Sequence, residues 1–214
     1  MATSTRLLVI AGAAALFLAC GSGNQRNETR PANALDARVC TQQDLGGGFN
    51  EETAGNFTPA NLADLGPNSG KRSRALTGAG LIRGHFAYWK EVPAAPPFEP
   101  QTDVVCQAIE FETADEAAAF VHALRPAEDS LVTAGIAWLH DGRREVTEAP
   151  APLDPAGARA FVIRTTGGDE NAAVYAVIVA RGAYVRSVYL QTPGVSGQLE
   201  RAAAILAATI RRIP

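Results

Sequence analysis

Three cysteines, at positions 20, 40 and 106, carry the clearest chemical prediction in this 214-residue chain. Cys20 follows a short apolar segment at the N-terminus and is a candidate for modification. Cys40 and Cys106 then remain as an even pair, and in an oxidising compartment such a pair most simply forms a disulfide. The alternative is two buried free thiols. A metal site is not expected, because no histidine lies at ligand spacing from either cysteine.

The aromatic pair Tyr88-Trp89, with Trp138 further along the chain, is the candidate for a ligand-binding surface. Adjacent residues of a strand point to opposite faces of its sheet. One member of the pair is therefore expected to be exposed or to line a cleft. Packing of all three aromatic side chains in the core is the competing interpretation.

Other segments imitate catalytic or nucleotide-binding motifs without meeting their spacing. Residues 78–84 have three residues, not two, before the last glycine of a dinucleotide fingerprint, and they open a strand where that motif needs a helix. Residues 66–72 are one residue short of a phosphate loop. The three histidines share no ligand or catalytic spacing: His85, His122 and His140. We therefore predict no catalytic residue, no metal and no cofactor.

Composition limits the possible partners. The chain has 47% apolar and 19% charged residues, enough apolar material for one packed domain of ordinary size. Its formal net charge is −3, and no run of five like charges occurs. A nucleic-acid partner is not expected from so weak and negative a charge.

The N-terminus has the organisation of a secretory signal. Arg6 precedes an apolar run at residues 7–17, and small residues follow. Even extended to Ala19 the run has 13 residues, whereas a membrane-spanning helix needs about 20. A buried N-terminal helix is the competing interpretation, and the polar stretch at residues 21–33 argues against it.

Residues 17–20, Phe-Leu-Ala-Cys, resemble the lipobox of bacterial lipoproteins, although Phe17 stands where that pattern usually has Leu. The resemblance implies a signal peptide over residues 1–19 and acylation of Cys20, whose acyl chains hold the protein to a membrane. We expect a flexible tether at residues 20–37 and one domain at residues 38–214 on the extracytoplasmic face of the cell envelope. Gly21 favours the outer membrane if the organism has two.

The domain is predicted to contain several strands and two helices. Thr113 and Glu116 form a capping box that opens a helix to about residue 125. An amphipathic helix is expected at residues 196–213. Residues 51–76 are expected to be irregular, with one turn at 59–65. The predicted strands lie at residues 81–92, 103–112, 131–139, 144–148, 160–165, 172–180 and 183–191.

The predicted fold class is α+β, a mostly antiparallel sheet with helices on both faces. Residues 172–180 are apolar at nearly every position, so this strand needs cover on both sides. Two helices and such a strand favour a three-layer α/β/α sandwich. This order of elements resembles the Mog1/PsbP-like fold, which occurs in bacterial lipoproteins and extracellular sensor modules. The resemblance implies a binding or assembly module without catalytic residues.

Function is predicted in two competing forms. The first is a lipid-anchored module that binds an envelope protein or a small-molecule ligand, or that serves assembly alone. The second is an envelope enzyme of the hydrolase kind, with a site built from distant residues. A pocket with convergent titratable groups would favour the enzyme, and a deep apolar pocket near Trp89 or Trp138 would favour ligand binding.

Overall fold

The computed structural model describes residues 35–64, 68–92, 102–125, 143–152, 157–166, 172–193 and 197–213. The strands are β1 Phe49–Phe57, β2 Leu81–Glu91, β3 Asp103–Phe111, β4 Arg143–Ala149, β5 Arg159–Thr166, β6 Ala172–Arg181 and β7 Tyr184–Pro193. The helices are α1 Pro59–Asp64, α2 Ser69–Gly78, α3 Ala114–Ala123 and α4 Gln198–Arg212. A 3-10 turn, Asp36–Arg38, precedes β1.

The seven strands form one sheet in the order β1-β2-β3-β7-β6-β5-β4. Every adjacent pair is antiparallel. Strands β1 to β3 form one meander and β4 to β7 another, and the pairing of β3 with β7 joins the two at the centre. The predicted mostly antiparallel sheet is therefore confirmed, and the four helices that accompany it fit the predicted α+β class.

Side chains alternate between two faces of the sheet, and each face has its own core. On β3, Val105 and Ile109 belong to the first core, with residues of α1, α2 and α3. Val104 and Cys106 belong to the second core, with residues of α4 and with Leu35 and Val39, which flank the 3-10 turn. We call these sides the first face and the second face. Strand β6 contributes buried residues to both, as its apolar run predicts.

Both predicted helices are present, slightly shorter than expected. The capping box of α3 forms as predicted: Thr113 Oγ1 accepts from the Glu116 amide, and the Glu116 carboxylate accepts from the Thr113 amide. Helix α4 begins at Gln198 after Gly197, whose positive φ of 85° suits a residue without a Cβ. The buried side of α4 includes Ala203 and Leu206, which helical spacing predicted.

The predicted turn at residues 59–65 is present as α1. The prediction that the rest of residues 51–76 is irregular was wrong, since this segment contains most of β1 and most of α2. Strand β1 pairs with one neighbour, and most of its central side chains are exposed or half-buried, so apolar alternation is weak. Helix α2 buries only Leu76. Periodicity in apolar residues cannot reveal elements that bury so few of them. The predicted strand at residues 131–139 lies outside the described residues.

Gly84 shows how the edge of the sheet is packed. It pairs with Phe57 of β1, and the Phe57 ring occupies the space where a Cβ on residue 84 would lie.

None of the helices in the described ranges is long and apolar enough to cross a membrane.

Candidate functional site

The structure does not bring the predicted aromatic residues into one site. Tyr88 is half-buried and packs on the first face, whereas Trp89 is buried in the second core. The indole nitrogen of Trp89 has no acceptor within the described ranges. Cys20 and Trp138, the other predicted site residues, lie outside the described part of the chain. Trp89 is thus a core residue, and Tyr88 is the aromatic residue with a polar environment.

Cys40 and Cys106 form a disulfide, as predicted, with their Cα atoms 5.7 Å apart. Cys106 lies in β3 at the centre of the sheet, and Cys40 follows the 3-10 turn. Both are buried in the second core. Leu35, also in that core, is 1% exposed. The bridge therefore fastens the first described segment to the middle of the sheet.

The first face carries a row of polar side chains across the three neighbouring strands β2, β3 and β7. Strand β2 supplies one of them, β3 two and β7 three, and the cross-strand pairs Asp103–Gln191 and Gln107–Ser187 set the register. We call this set the polar row: Tyr88, Asp103, Gln107, Ser187, Tyr189 and Gln191. Polar groups in an otherwise apolar core are the default candidates for a binding or catalytic site.

One end of the polar row holds a carboxyl and a phenol in contact. Burial raises the pKa of Asp103, although Lys90 and a hydrogen bond with Tyr88 act in the opposite sense. Burial also raises the pKa of Tyr88, and the neighbouring Asp103 raises it further. Asp103 Oδ1 has no hydrogen-bond partner in the described part of the chain. This end therefore holds a buried carboxyl whose pKa is raised, beside a phenol that stays protonated at neutral pH and is a poor base there.

The other end of the polar row is closed. Ser187 Oγ lies 3.4 Å from Gln107 Oε1, and Ser187 is also hydrogen-bonded to Tyr189. Burial raises the pKa of Tyr189 to about 12. A cavity of about 10 Å³ adjoins these groups, which is the room needed by roughly one water molecule. Its apolar lining is Leu62, Ile109, Phe120, Leu124, Ile178 and Val185.

Among the described residues, the serine of the polar row has no histidine beside it. The two described histidines lie elsewhere. His85 is on the second-face side of β2, with Nδ1 2.9 Å from Asn56 Oδ1 and 3.2 Å from Asp36 Oδ1. His122 is exposed on α3. The described His, Cys, Asp and Glu residues include no group of three placed to hold a metal ion.

Most residues of the polar row were not predicted as site residues, although the sequence contains one signal of them. Gln107 interrupts the apolar series Val105, Ile109 and Phe111 on one side of β3. Ser187 interrupts Val185 and Tyr189 in the same way on β7. Such interruptions mark a buried polar group. They do not identify its partner, because the pairing of β3 with β7 joins residues about 80 positions apart.

Comparisons with known proteins bear on the fold. No known protein family matches the sequence, and no curated protein matches it. A solved structure described as the crystal structure of the extracellular domain of PknH from Mycobacterium tuberculosis has a similar fold, with a TM-score of 0.51. The two chains are 14% identical, and the match covers 87% of this chain and 100% of that one. At this identity the likeness concerns the fold alone.

Proposed function

We propose that this chain is a lipid-anchored extracytoplasmic lipoprotein whose folded domain is a non-catalytic binding or assembly module. The Cys40–Cys106 disulfide carries the proposal, because such bonds persist in oxidising compartments and are rare in the cytosol. The lipobox-like sequence before Cys20 provides the anchor. The similar fold of a domain described as extracellular supports the same location.

The absence of catalysis in this proposal rests on the polar row. Its hydroxyl groups are satisfied by neighbouring side chains, and the adjoining cavity has room for about one water molecule. No activated nucleophile faces that cavity within the described ranges. We propose that these polar groups fix the packing of the first face, and that partners are recognised on the surface of the domain.

The architecture proposed for the complete domain is a three-layer α/β/α sandwich of the Mog1/PsbP-like kind. Its support is the distribution of helices, since α3 packs with the first core and α4 with the second. Such folds present binding surfaces on helices and loops above a rigid sheet.

The anchor is tested by labelling with radioactive palmitate in a bacterial host that processes lipoproteins. We expect the unsubstituted chain to incorporate label and to fractionate with membranes, and Cys20→Ser to lose both properties. Cys106→Ser is the matched control, because it removes a cysteine and leaves the lipobox intact. Label retained by Cys20→Ser, or a chain recovered from cytosol with reduced cysteines, would refute the proposed anchor and location.

A further inference from the structure

Arg186 is a charged side chain held inside the second core. It is 1% exposed, and its cross-strand neighbours, Ala108 and Val179, bear only carbon in their side chains. Its Nη1 donates to the carbonyl oxygen of Thr209 in α4 at 3.4 Å. Its Nε has no acceptor in the described part of the chain. A buried charge without a counter-charge is unfavourable. This guanidinium has one 3.4 Å hydrogen bond to Thr209, and its Nε donor is unsatisfied among the described residues.

Other arginines stand close to Arg186 and add to the local positive charge. Burial, together with the neighbouring charges of Arg38, Arg212 and Arg181, lowers the pKa of Arg186 to about 10. The guanidinium of Arg38 stacks on the Tyr184 ring, 3.9 Å from its centroid. The Nε of Arg38 is also buried without an acceptor in the described ranges. Two orphaned guanidinium donors therefore occur in one region.

The nearby carboxylates are already engaged. Asp44 Oδ2 lies 2.8 Å from Arg212 Nη2, and hydrogen bonds from Arg212 and Thr41 lower the pKa of Asp44 despite its burial. Glu110, opposite Tyr184 in the sheet, is bound by Arg83 at 2.6 Å. Arg38, Arg181 and Arg186 thus have no carboxylate partner within the described residues.

We infer that Arg38, Arg181 and Arg186, with Tyr184, form a binding site for a phosphoryl anion. We call these four residues the arginine cluster. A phosphate monoester has three terminal acceptor oxygens and more than one negative charge, and the phosphodiester of a lipid headgroup has two terminal oxygens and one charge. Either group can therefore accept hydrogen bonds from more than one guanidinium. Its source is either a soluble phosphate or the headgroup of an anionic phospholipid. The inference rests on the proposed function only in requiring a binding module; it does not depend on acylation of Cys20.

The first experiment is calorimetric titration of the full chain with inorganic phosphate and with glycerol phosphate, at constant ionic strength. Cys20→Ser is present in every protein to remove acyl chains. Saturable binding is expected, and Arg186→Met should weaken it by about tenfold or more, as expected for lost charge-assisted hydrogen bonds. Arg38→Met, at a half-buried position, should also weaken binding. If Arg186→Met disturbs folding, the Arg38→Met variant still tests the site.

The second experiment separates the two sources of the phosphoryl group. The same proteins are sedimented with phosphatidylcholine vesicles that contain or lack phosphatidylglycerol. Binding of phosphatidylglycerol vesicles alone, lost in Arg186→Met, would assign the site to a lipid headgroup. Binding of soluble phosphate with no preference between vesicles would assign it to a free ligand.

The control is Arg74→Met, which removes the same charge from an exposed position on α2. It should leave phosphate affinity and vesicle binding unchanged. The inference is overturned if neither phosphate nor vesicles bind, or if the Arg74 and Arg186 variants lose affinity equally. Absence of palmitate label on the unsubstituted chain, with phosphate binding intact, would count against the anchor and not against the arginine cluster.

Discussion

At the scale of single residues, the Asp103 carboxyl ties stability to pH. Its pKa is raised in the folded protein, mainly by burial, so folding favours the protonated form. Its favourable contribution is complete below its unfolded pKa of about 4 and is lost as pH rises through the folded value. Asp103→Asn removes the charge and keeps an acceptor for Tyr88. We expect the variant to be more stable than the parent at pH 7, with the difference shrinking near pH 4.

Urea unfolding at both pH values measures this difference. Asp64→Asn, an exposed carboxyl at the end of α1, makes the same change of charge and sets the baseline. A variant less stable than its parent at pH 7 would show that ionised Asp103 is stabilised in the fold.

At the scale of elements, the N-terminus of α3 depends on two reciprocal hydrogen bonds. Thr113 Oγ1 accepts from the Glu116 amide at 3.2 Å, and Glu116 Oε2 accepts from the Thr113 amide at 2.9 Å. Thr113→Ala removes the first bond and also the bond that the Thr113 hydroxyl donates to Glu116 Oε2. It should lower the free energy of unfolding by about 1 kcal/mol. For a domain of this size that corresponds to a fall in Tm of about 2–4 °C.

The control for α3 is Thr77→Ala, at an exposed position in α2. Alanine is the better helix former there, so thermal unfolding should show no loss of stability. Equal losses in both variants would mean that the hydroxyl cap contributes nothing specific.

Elements were predictable where a local signal marks their ends or their buried side. The capping box located α3, and the apolar spacing of Ala203 and Leu206 located α4. Helix α2 was not predicted, because Leu76 is its one buried residue and no apolar spacing marks it. The arginine cluster was not predictable for a similar reason. The surroundings of Arg186 are set by α4 and the 3-10 turn, which lie far from it along the chain.

At the scale of the whole molecule, the two cores were predictable and the strand order was not. An all-apolar β6 implies cover on both faces from its own composition. The central pairing of β3 with β7 has no local sequence signal, because a long stretch of chain separates these strands. The disulfide reinforces this centre: Cys106 on β3 is paired with Val188 of β7 and is bonded to Cys40.

The disulfide should therefore contribute strongly to global stability. The bond joins residues 66 positions apart, and the chain-entropy model assigns such a loop about 4 kcal/mol of stabilisation. Replacing both Cys40 and Cys106 with Ala should lower the free energy of unfolding in urea by about that amount. The unsubstituted chain treated with a reductant is the matched control, and it should unfold at nearly the same urea concentration as the double variant. If reduction and substitution both leave the unfolding midpoint unchanged, the bridge does not stabilise the centre of the sheet.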